Sequence, residues 1–291
     1  MIPAAFEYYA PKTLKEATGL LQQHGDAAKL LAGGHSLLPM MKLRLATPQV
    51  VIDLGGLSEL QGIRASDGVI TIGALATHYA LESSDLLKKA SPLLPEVAAQ
   101  IGDIQVRNRG TIGGSLAHAD PAADWPAAIL AMSAELVALN TAGKERVIKA
   151  REFFTGLFET ALQPDEILTQ IRVPALAART GTAYQKVKQP ASGFALVGVA
   201  ARLTVGANGK CEHVALAITG LAASPFRAEA AEAAMRGQTV NAESIAAAAK
   251  LAAEGVNDPL EDIHASGEYR CHLARVHARR ALERAWAKVG A

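Results

Sequence analysis

Two glycine pairs dominate this sequence, one in Ala32-Gly33-Gly34-His35-Ser36 (the first loop) and one in Thr111-Ile112-Gly113-Gly114-Ser115 (the second loop). Each pair lies where an apolar run gives way to a segment with helical spacing. Because glycine has no Cβ, backbone N–H groups at such a pair can crowd against a ligand. Several amides that converge beside a helix start make an anion site. Together the two loops predict a grip on one long diphosphate ligand.

Neither loop by itself is specific evidence for a phosphate-binding site. A glycine pair between a strand and a helix is also a common turn, and Asp124, shortly after the second loop, suits a helix N-cap as well as a ribose contact. The sequence has no Gly-Lys-Ser/Thr of a P-loop and no Gly-x-Gly-x-x-Gly of a Rossmann fold. Arg107 and Arg109 precede the second loop, where they either steer a diphosphate or are merely solvated. Both interpretations stay open at each of these positions.

The composition is that of an ordinary globular protein. Half of the 291 residues are hydrophobic, and 29 Lys and Arg stand against 28 Asp and Glu, so the charge favours neither nucleic acid nor an anionic membrane as partner. Two cysteines, Cys211 and Cys271, exclude a disulfide scaffold and a four-cysteine iron–sulfur cluster in this chain. No signal-peptide pattern and no apolar run of about 18 residues occurs. We therefore expect a cytoplasmic protein without a transmembrane segment.

The apolar periodicity divides the chain into three units, at residues 1–55, 56–177 and 178–291. The first unit reads as βαβ-like, with a helix over 13–25, a strand over 28–32, a helical or irregular segment over 37–45 and a strand over 50–54. The second unit contains predicted strands over 69–73, 136–139 and 166–173 and predicted helices over 76–90, 92–101 and 124–132. A softer stretch over 175–182 marks the boundary to the third unit.

The third unit begins with a predicted β-hairpin. Asn208-Gly209 lies between β-prone runs at 194–205 and 211–220, which is a strong hairpin signal. Three helical segments follow, at 225–236, 241–254 and 267–288. His35 and His118 lack partners at metal-ligand spacing, so we predict neither a metal site nor a catalytic residue in this chain.

The combination of the two loops with Asp120-Pro121-Ala122-Ala123-Asp124 resembles the FAD-binding medium subunits of the molybdenum hydroxylases, the family of xanthine dehydrogenase and carbon monoxide dehydrogenase. The likeness is to the carbon monoxide dehydrogenase flavoproteins in particular and covers nearly the whole chain, including Ala183–Lys186 and Arg279–Leu282. It implies an α+β protein. Two subdomains would form an FAD-binding fold of the vanillyl-alcohol-oxidase (PCMH) type, followed by an antiparallel sheet with a helical bundle.

The resemblance also implies a set of FAD-binding residues. The two loops would hold the diphosphate, Asp124 the adenosine ribose region, and Phe194 would stand where relatives carry an aromatic residue, often Tyr, near the flavin ring. Ser115 stands where many relatives have Asn. The full candidate set is Lys29, Leu30, Leu31, Ala32, Gly33, Gly34, His35, Ser36, Leu37, Ile101, Gly110, Thr111, Ile112, Gly113, Gly114, Ser115, Asp120, Asp124, Leu162, Lys186 and Phe194.

The activity implied by the resemblance is electron transfer. FAD on this chain would receive electrons from two [2Fe–2S] clusters of a small partner subunit and give them to an external acceptor. A large partner subunit would hold the molybdenum cofactor, and the complex would be a dimer of heterotrimers in the cytoplasm, with any membrane association made through the complex. Carbon monoxide, aldehydes, purines and N-heteroaromatics all remain open as substrates. Two alternatives compete: a free-standing FAD-dependent oxidase and a non-catalytic nucleotide-binding scaffold module.

Overall fold

The computed structural model describes residues 1–290, and Ala291, the last residue of the predicted third unit, lies outside the described residues. The protein is α+β, as predicted, with a three-stranded, a five-stranded and a four-stranded sheet and one short two-stranded ribbon among these residues. Two 3₁₀ turns, at Gly25–Ala27 and Ser58–Leu60, complete the connections near the N-terminus.

The N-terminal sheet is parallel. Its elements are β1 (Glu7–Tyr9), α1 (Leu14–His24), β2 (Ala28–Leu31), α2 (Leu37–Lys42) and β3 (Val50–Asp53). β3 lies between β1 and β2 and is parallel to both. Because β2 and β3 are parallel, the chain crosses over between them, and this crossover contains the first loop and α2. The side chain of Thr13 caps α1 by accepting from the amide of Glu16. The βαβ prediction is confirmed, while β1 was not predicted because three residues are too few to show a period.

The five-stranded sheet and its helices form the middle of the chain. In chain order the elements are β4 (Ile63–Ser66), β5 (Val69–Gly73), α3 (His78–Ser83), α4 (Asp85–Ala90), α5 (Leu93–Ala98), α6 (Ile104–Arg109), α7 (Ile112–His118), α8 (Trp125–Met132), β6 (Glu135–Asn140), β7 (Glu145–Lys149), α9 (Ala150–Phe153), β8 (Phe154–Gly156), β9 (Glu159–Thr160) and β10 (Glu166–Pro174). The sheet is antiparallel in the order β4-β5-β10-β6-β7.

The prediction of one helix over 76–90 is wrong. The chain breaks between α3 and α4 at Ser84, whose hydroxyl accepts from the amide of Leu87 at 3.3 Å and so caps α4. The buried residues Leu81 and Leu87 keep their apolar faces toward the same core on both sides of the break. The helical period therefore continues in the sequence although the helix itself does not.

The C-terminal sheet is antiparallel with three helices after it. Its elements are β11 (Thr180–Lys188), β12 (Ala195–Val205), β13 (Cys211–Thr219), β14 (Phe226–Arg227), α10 (Glu229–Met235), α11 (Ala242–Lys250) and α12 (Gly267–Ala287). The hairpin at Asn208-Gly209 is confirmed, and Gly209 has the positive φ of +75° that such a turn requires. Two predictions differ: β11 begins inside the stretch read as a soft boundary, and the helix predicted over 225–236 starts only after Phe226 and Arg227 have paired with β13.

Helix α8 lies between the five-stranded sheet and the C-terminal sheet. All eight of its residues are buried, including the fully buried Trp125. It packs against β10 on one side and against β12 and β13 on the other. A helix that is apolar on every side is stable only when it is covered on every side. The C-terminal sheet therefore closes over the middle of the chain.

A buried polar cluster ties β11 to the residue that precedes α8. The Tyr184 hydroxyl donates to Asp124 Oδ1 at 2.5 Å, and Lys186 Nζ donates to Asp124 Oδ2 at 2.7 Å and to the Gln100 carbonyl at 3.1 Å. Burial raises the pKa of Asp124 and lowers the pKa of Lys186, while each charge opposes the shift of the other. Because Tyr184 and Lys186 belong to β11, this cluster fixes the C-terminal sheet to the start of α8.

Loss of the lysine tests this ion pair. In Lys186→Met the buried Asp124 carboxylate loses its counter-charge, so we expect the free energy of unfolding at pH 8 to fall by about 3–5 kcal/mol. Burial already raises the pKa of Asp124, and without Lys186 to oppose that shift the pKa in the folded protein rises further above its unfolded value, so protonation favours the folded state of the variant more strongly. The deficit should shrink as the pH is lowered from 8 to 5. Urea denaturation at several pH values measures it.

The matched control is Lys188→Met, which removes an exposed lysine two residues further along the same strand. We expect a much smaller change in unfolding at these pH values, because Lys188 makes no direct contact with Asp124 and its charge is the weakest influence on the pKa of that carboxyl. A Lys186→Met protein as stable as the Lys188→Met protein at pH 8 would show that the buried pair does not hold the sheet in place.

Candidate functional site

A cavity of about 550 Å³ lies where the three sheets meet. Its walls are the first loop, the second loop and the Ser192–Phe194 turn between β11 and β12. This volume falls within the range of about 300–1,000 Å³ that ligand and cofactor sites occupy. The two glycine loops, distant in the sequence, thus form one concave site.

The first loop touches the backbone of Arg109 and Gly110, which lead directly into the second loop. A Cβ atom on Gly33 would lie 2.3 Å from the Arg109 carbonyl oxygen and 2.7 Å from Gly110 Cα. Real Cβ contacts with backbone atoms are never so short, so only glycine fits at this position. The close approach of Gly33 therefore serves the contact between the loops, in addition to any ligand.

The first loop presents a row of unused hydrogen-bond donors. Within residues 1–290 the amides of residues 33–37 donate to no backbone or side-chain acceptor. The hydroxyl of Ser36, at the N-cap of α2, makes no capping hydrogen bond either. All five residues line the cavity and are half-buried or exposed, so their free amides can reach a ligand there. The loop therefore fits an anionic ligand such as the diphosphate of FAD.

The second loop differs from the first because its amides are already engaged. Ile112 and Gly113 donate to the carbonyls of Ala76 and Ala74, and the Gly114 amide donates to Thr111 Oγ1 at 3.1 Å. A Cβ atom on Gly113 would lie 2.5 Å from the Ala74 side chain. The second glycine pair thus lets α7 pack closely on the end of β5, while the first loop carries the free donors.

The cavity collects most of the candidate residues named from the sequence. Those that line it are Lys29, Leu30, Leu31, Ala32, Gly33, Gly34, His35, Ser36, Leu37, Ile101, Gly110, Thr111, Gly113, Gly114, Ser115, Asp120, Asp124 and Phe194. Three candidates do not line it. Ile112 is fully buried in the core, Leu162 packs against that core, and Lys186 lies behind Asp124.

The two aspartates of the site, Asp120 and Asp124, already accept hydrogen bonds from other protein groups. Both carboxylate oxygens of Asp124 accept hydrogen bonds from the buried cluster, and Asp124 makes no side-chain cap at the start of α8. Asp120 Oδ1 accepts from the amide of Ala122 at 2.8 Å. A carboxylate oxygen has more than one lone pair, so each aspartate keeps capacity for a ligand hydroxyl.

Arg107 takes neither of the roles considered for it. Its Nε donates to Glu82 at 2.7 Å, and its Nη1 donates to the carbonyls of Ile101 and Gly102. The side chain is largely buried, so it is not a solvated surface arginine. It holds the turn before α6, which places Ile101 at the cavity, and it is not free for a diphosphate.

Sequence reasoning missed two notable cavity residues, His78 and Phe158. Phe158 adopts a left-handed backbone with a φ of +57° and lies 5.2 Å from the His118 ring. Side chains rarely adopt that conformation, and such strain often marks functional sites. His78 is buried, and its Nδ1 accepts from Trp125 Nε1 at 3.0 Å.

Burial, together with the smaller influence of the nearby His35 and Arg107 side chains, lowers the pKa of His78 to about 4. The imidazole is therefore neutral at physiological pH. No pattern in the sequence marks His78, because it follows a β-strand far from both loops and only the packing of α3 brings it to them.

None of the helices within residues 1–290 is both long and apolar enough to cross a membrane. In the same residues no group of three or more His, Cys, Asp and Glu side chains is arranged to hold a metal ion.

Comparison with known proteins identifies the family to which this architecture belongs. The profile described as "FAD binding domain in molybdopterin dehydrogenase" matches residues 4–176, and the "CO dehydrogenase flavoprotein C-terminal domain" matches residues 182–285. The carbon monoxide dehydrogenase medium chain of Hydrogenophaga pseudoflava is 42% identical over 288 residues, which are 99% of each chain. The caffeine dehydrogenase subunit beta of Pseudomonas sp. (strain CBB1) is 34% identical over 98% of this chain and 96% of its own.

The structure agrees with these matches. A chain of carbon monoxide dehydrogenase from Hydrogenophaga pseudoflava superposes with a TM-score of 0.95 at 45% identity, covering 99% of this chain and 100% of that one. The fold predicted from the motifs, an FAD-binding fold of the PCMH type with an antiparallel C-terminal sheet, is thereby confirmed. The chain belongs to the FAD-binding family of the molybdopterin dehydrogenases and is a flavoprotein subunit of an oxidoreductase.

Proposed function

We propose that this chain is the electron-transfer subunit of a heteromeric molybdenum-containing hydroxylase or dehydrogenase. Its FAD would accept electrons from [2Fe–2S] clusters of a partner subunit, and an external acceptor would remove them. The observation that carries this proposal is the row of free amides over residues 33–37 inside a cavity of cofactor size. Bound FAD supplies the redox chemistry, and the protein supplies binding and orientation.

The first-loop amides and the Ser36 hydroxyl would hold the diphosphate, since they are unpaired donors on one wall of the cavity. The second loop would support the first through the Gly33–Gly110 contact and would limit the depth of the site. Asp120 and Asp124 would accept from ribose hydroxyls with their remaining lone pairs. Among the other candidates, Ile101 would line the site directly, while Lys186 would act through Asp124.

Two exposed phenylalanines offer apolar surface for a flat ring. Phe158 and Phe194 both line the cavity and are 51% and 45% exposed. Covering the exposed part of an aromatic side chain with another apolar surface removes it from water and is favourable. We propose that the isoalloxazine ring of FAD lies against this aromatic surface. Phe194 has no hydroxyl, so a hydrogen bond that a tyrosine would make there is absent.

The partners follow from the chemistry this chain lacks. With two cysteines it cannot hold two [2Fe–2S] clusters, so a small iron–sulfur subunit and a large molybdenum-cofactor subunit would supply the remaining centres. We propose a dimer of heterotrimers, located in the cytoplasm, and a division of this chain at residues 1–55, 56–177 and 178–291. Relatives are named for substrates as different as carbon monoxide and caffeine, which supports substrate selection by the large subunit.

A single methyl group at Gly33 tests the site. In Gly33→Ala the new Cβ would collide with the backbone of Arg109 and Gly110 and push the first loop away from the second. Overpacking of this kind costs about 1–3 kcal/mol, so we expect the FAD dissociation constant of the full chain to rise about tenfold or more. Fluorescence titration of apoprotein with FAD measures the change.

Gly19→Ala is the matched control, because a Cβ on Gly19 in α1 meets nothing within 4 Å. We expect its FAD affinity to equal that of the unchanged chain. Circular dichroism of each variant shows whether the fold is kept. If well-folded Gly33→Ala binds FAD as tightly as Gly19→Ala does, the contact between the loops does not shape the site.

The proposed electron-transfer role has its own test. We expect the affinity-tagged chain, purified from its source cells, to bring down one large chain with a molybdenum cofactor and one small chain rich in cysteines. Mass spectrometry and metal analysis identify both. Purification of the chain alone, with steady oxidation of a small alcohol or aldehyde by its bound FAD, would instead establish a free-standing oxidase.

A further inference from the structure

His78 is the first residue of α3 and lines the cavity, and none of the roles proposed above uses it. The hydroxyl of Thr77 caps α3 by accepting from the amide of Ala80 at 3.1 Å. The His78 amide itself donates to the Gly110 carbonyl at 2.9 Å. The helix cap and this backbone hydrogen bond hold His78 directly beside the start of the second loop.

The neighbouring tryptophan determines which ring nitrogen of His78 carries the proton. An indole N–H can only donate a hydrogen bond, and Trp125 Nε1 lies 3.0 Å from His78 Nδ1. Nδ1 must therefore be the acceptor, and the proton of the neutral ring resides on Nε2. Trp125 is fully buried at the start of α8, so it cannot turn away to accommodate the other tautomer.

The protonated nitrogen lies at the junction of the two loops. A Cβ atom on Gly110 would be 2.6 Å from His78 Nε2, and one on Gly33 would be 2.7 Å from Gly110 Cα. Within residues 1–290 His78 Nε2 makes no hydrogen bond, and it is not one of the fully buried side-chain atoms that lack a partner. The nitrogen is therefore open to the cavity that the residue lines, although the residue as a whole is only 5% exposed. A ligand oxygen at the junction can accept its hydrogen bond.

We propose that His78 is a further cofactor-binding residue, whose Nε2–H donates a hydrogen bond to a diphosphate oxygen of the bound dinucleotide where the two loops meet. This inference rests on the proposed FAD-binding function. Trp125 acts as the positioning residue, because it holds the imidazole in the donating tautomer. The neutral ring extends the row of backbone donors without adding a positive charge to the site.

The first measurement uses the full chain labelled with ¹⁵N-histidine. Long-range ¹H–¹⁵N spectra distinguish the two neutral tautomers and the charged ring, and the peak missing from His78→Phe identifies His78. We expect a neutral ring with its proton on Nε2 from pH 5.5 to 8, with and without FAD. Addition of FAD should shift the Nε2 resonance. In Trp125→Phe, which cannot donate, we expect both tautomers to appear.

The second measurement is the FAD dissociation constant of three variants. His78→Phe removes the donor, and a lost hydrogen bond to a charged group corresponds to about tenfold or more in affinity. His78→Gln retains an N–H donor and should recover most of that loss. His213→Phe replaces an exposed histidine of β13 that is outside the cavity, and it should bind FAD like the unchanged chain.

The outcomes separate the two proposals. An unchanged chain that does not bind FAD overturns the proposed function and this inference with it. If the unchanged chain binds FAD but His78→Phe binds equally well, or if the ring carries its proton on Nδ1 or is charged at pH 7, only the role of His78 falls. The tautomer is measured on the unchanged chain, so it decides the question even where His78→Phe does not fold.

Discussion

The backbone contact between Gly33 and the Arg109–Gly110 segment is the constraint on which the rest of the site depends. The contact joins the parallel N-terminal sheet to the helices of the middle of the chain. Gly33 and Gly110 both line the cavity, so the contact forms part of its wall. Since any side chain at Gly33 would separate the loops, the position of the free amides relative to the second loop is set by the absence of one carbon atom.

The two loops contribute in different ways although their sequences look alike. The amides of the first loop are free, and those of Ile112, Gly113 and Gly114 are bonded to neighbouring carbonyls or to Thr111. Binding donors and structural support are thus divided between two similar motifs. The same division recurs beneath the cavity, where Asp124 faces the site while Tyr184 and Lys186 hold it from behind and join it to the C-terminal sheet.

Local sequence predicted the elements whose signals are local. The apolar stripe of the helix predicted over 13–25, the Asn208-Gly209 hairpin and the apolar run of α8 are each read from neighbouring residues, and the structure has all three. Two predictions failed for different reasons. β14 depends on a partner strand, because Phe226 and Arg227 pair with β13. The break at Ser84 is hidden because the apolar face of the helix continues across it.

By itself, the sequence determined the two glycine loops and the alternation of helical and β periods, since period and missing Cβ atoms are properties of neighbouring residues. Its resemblance to a known family implied the α+β class. The tertiary structure alone decided which amides remain free, that Arg107 is tied to Glu82 and that His78 reaches the cavity. It also decided that the proton of His78 lies on Nε2. Each of these depends on a hydrogen-bond partner distant in the chain, and only folding brings such partners within about 3 Å of one another.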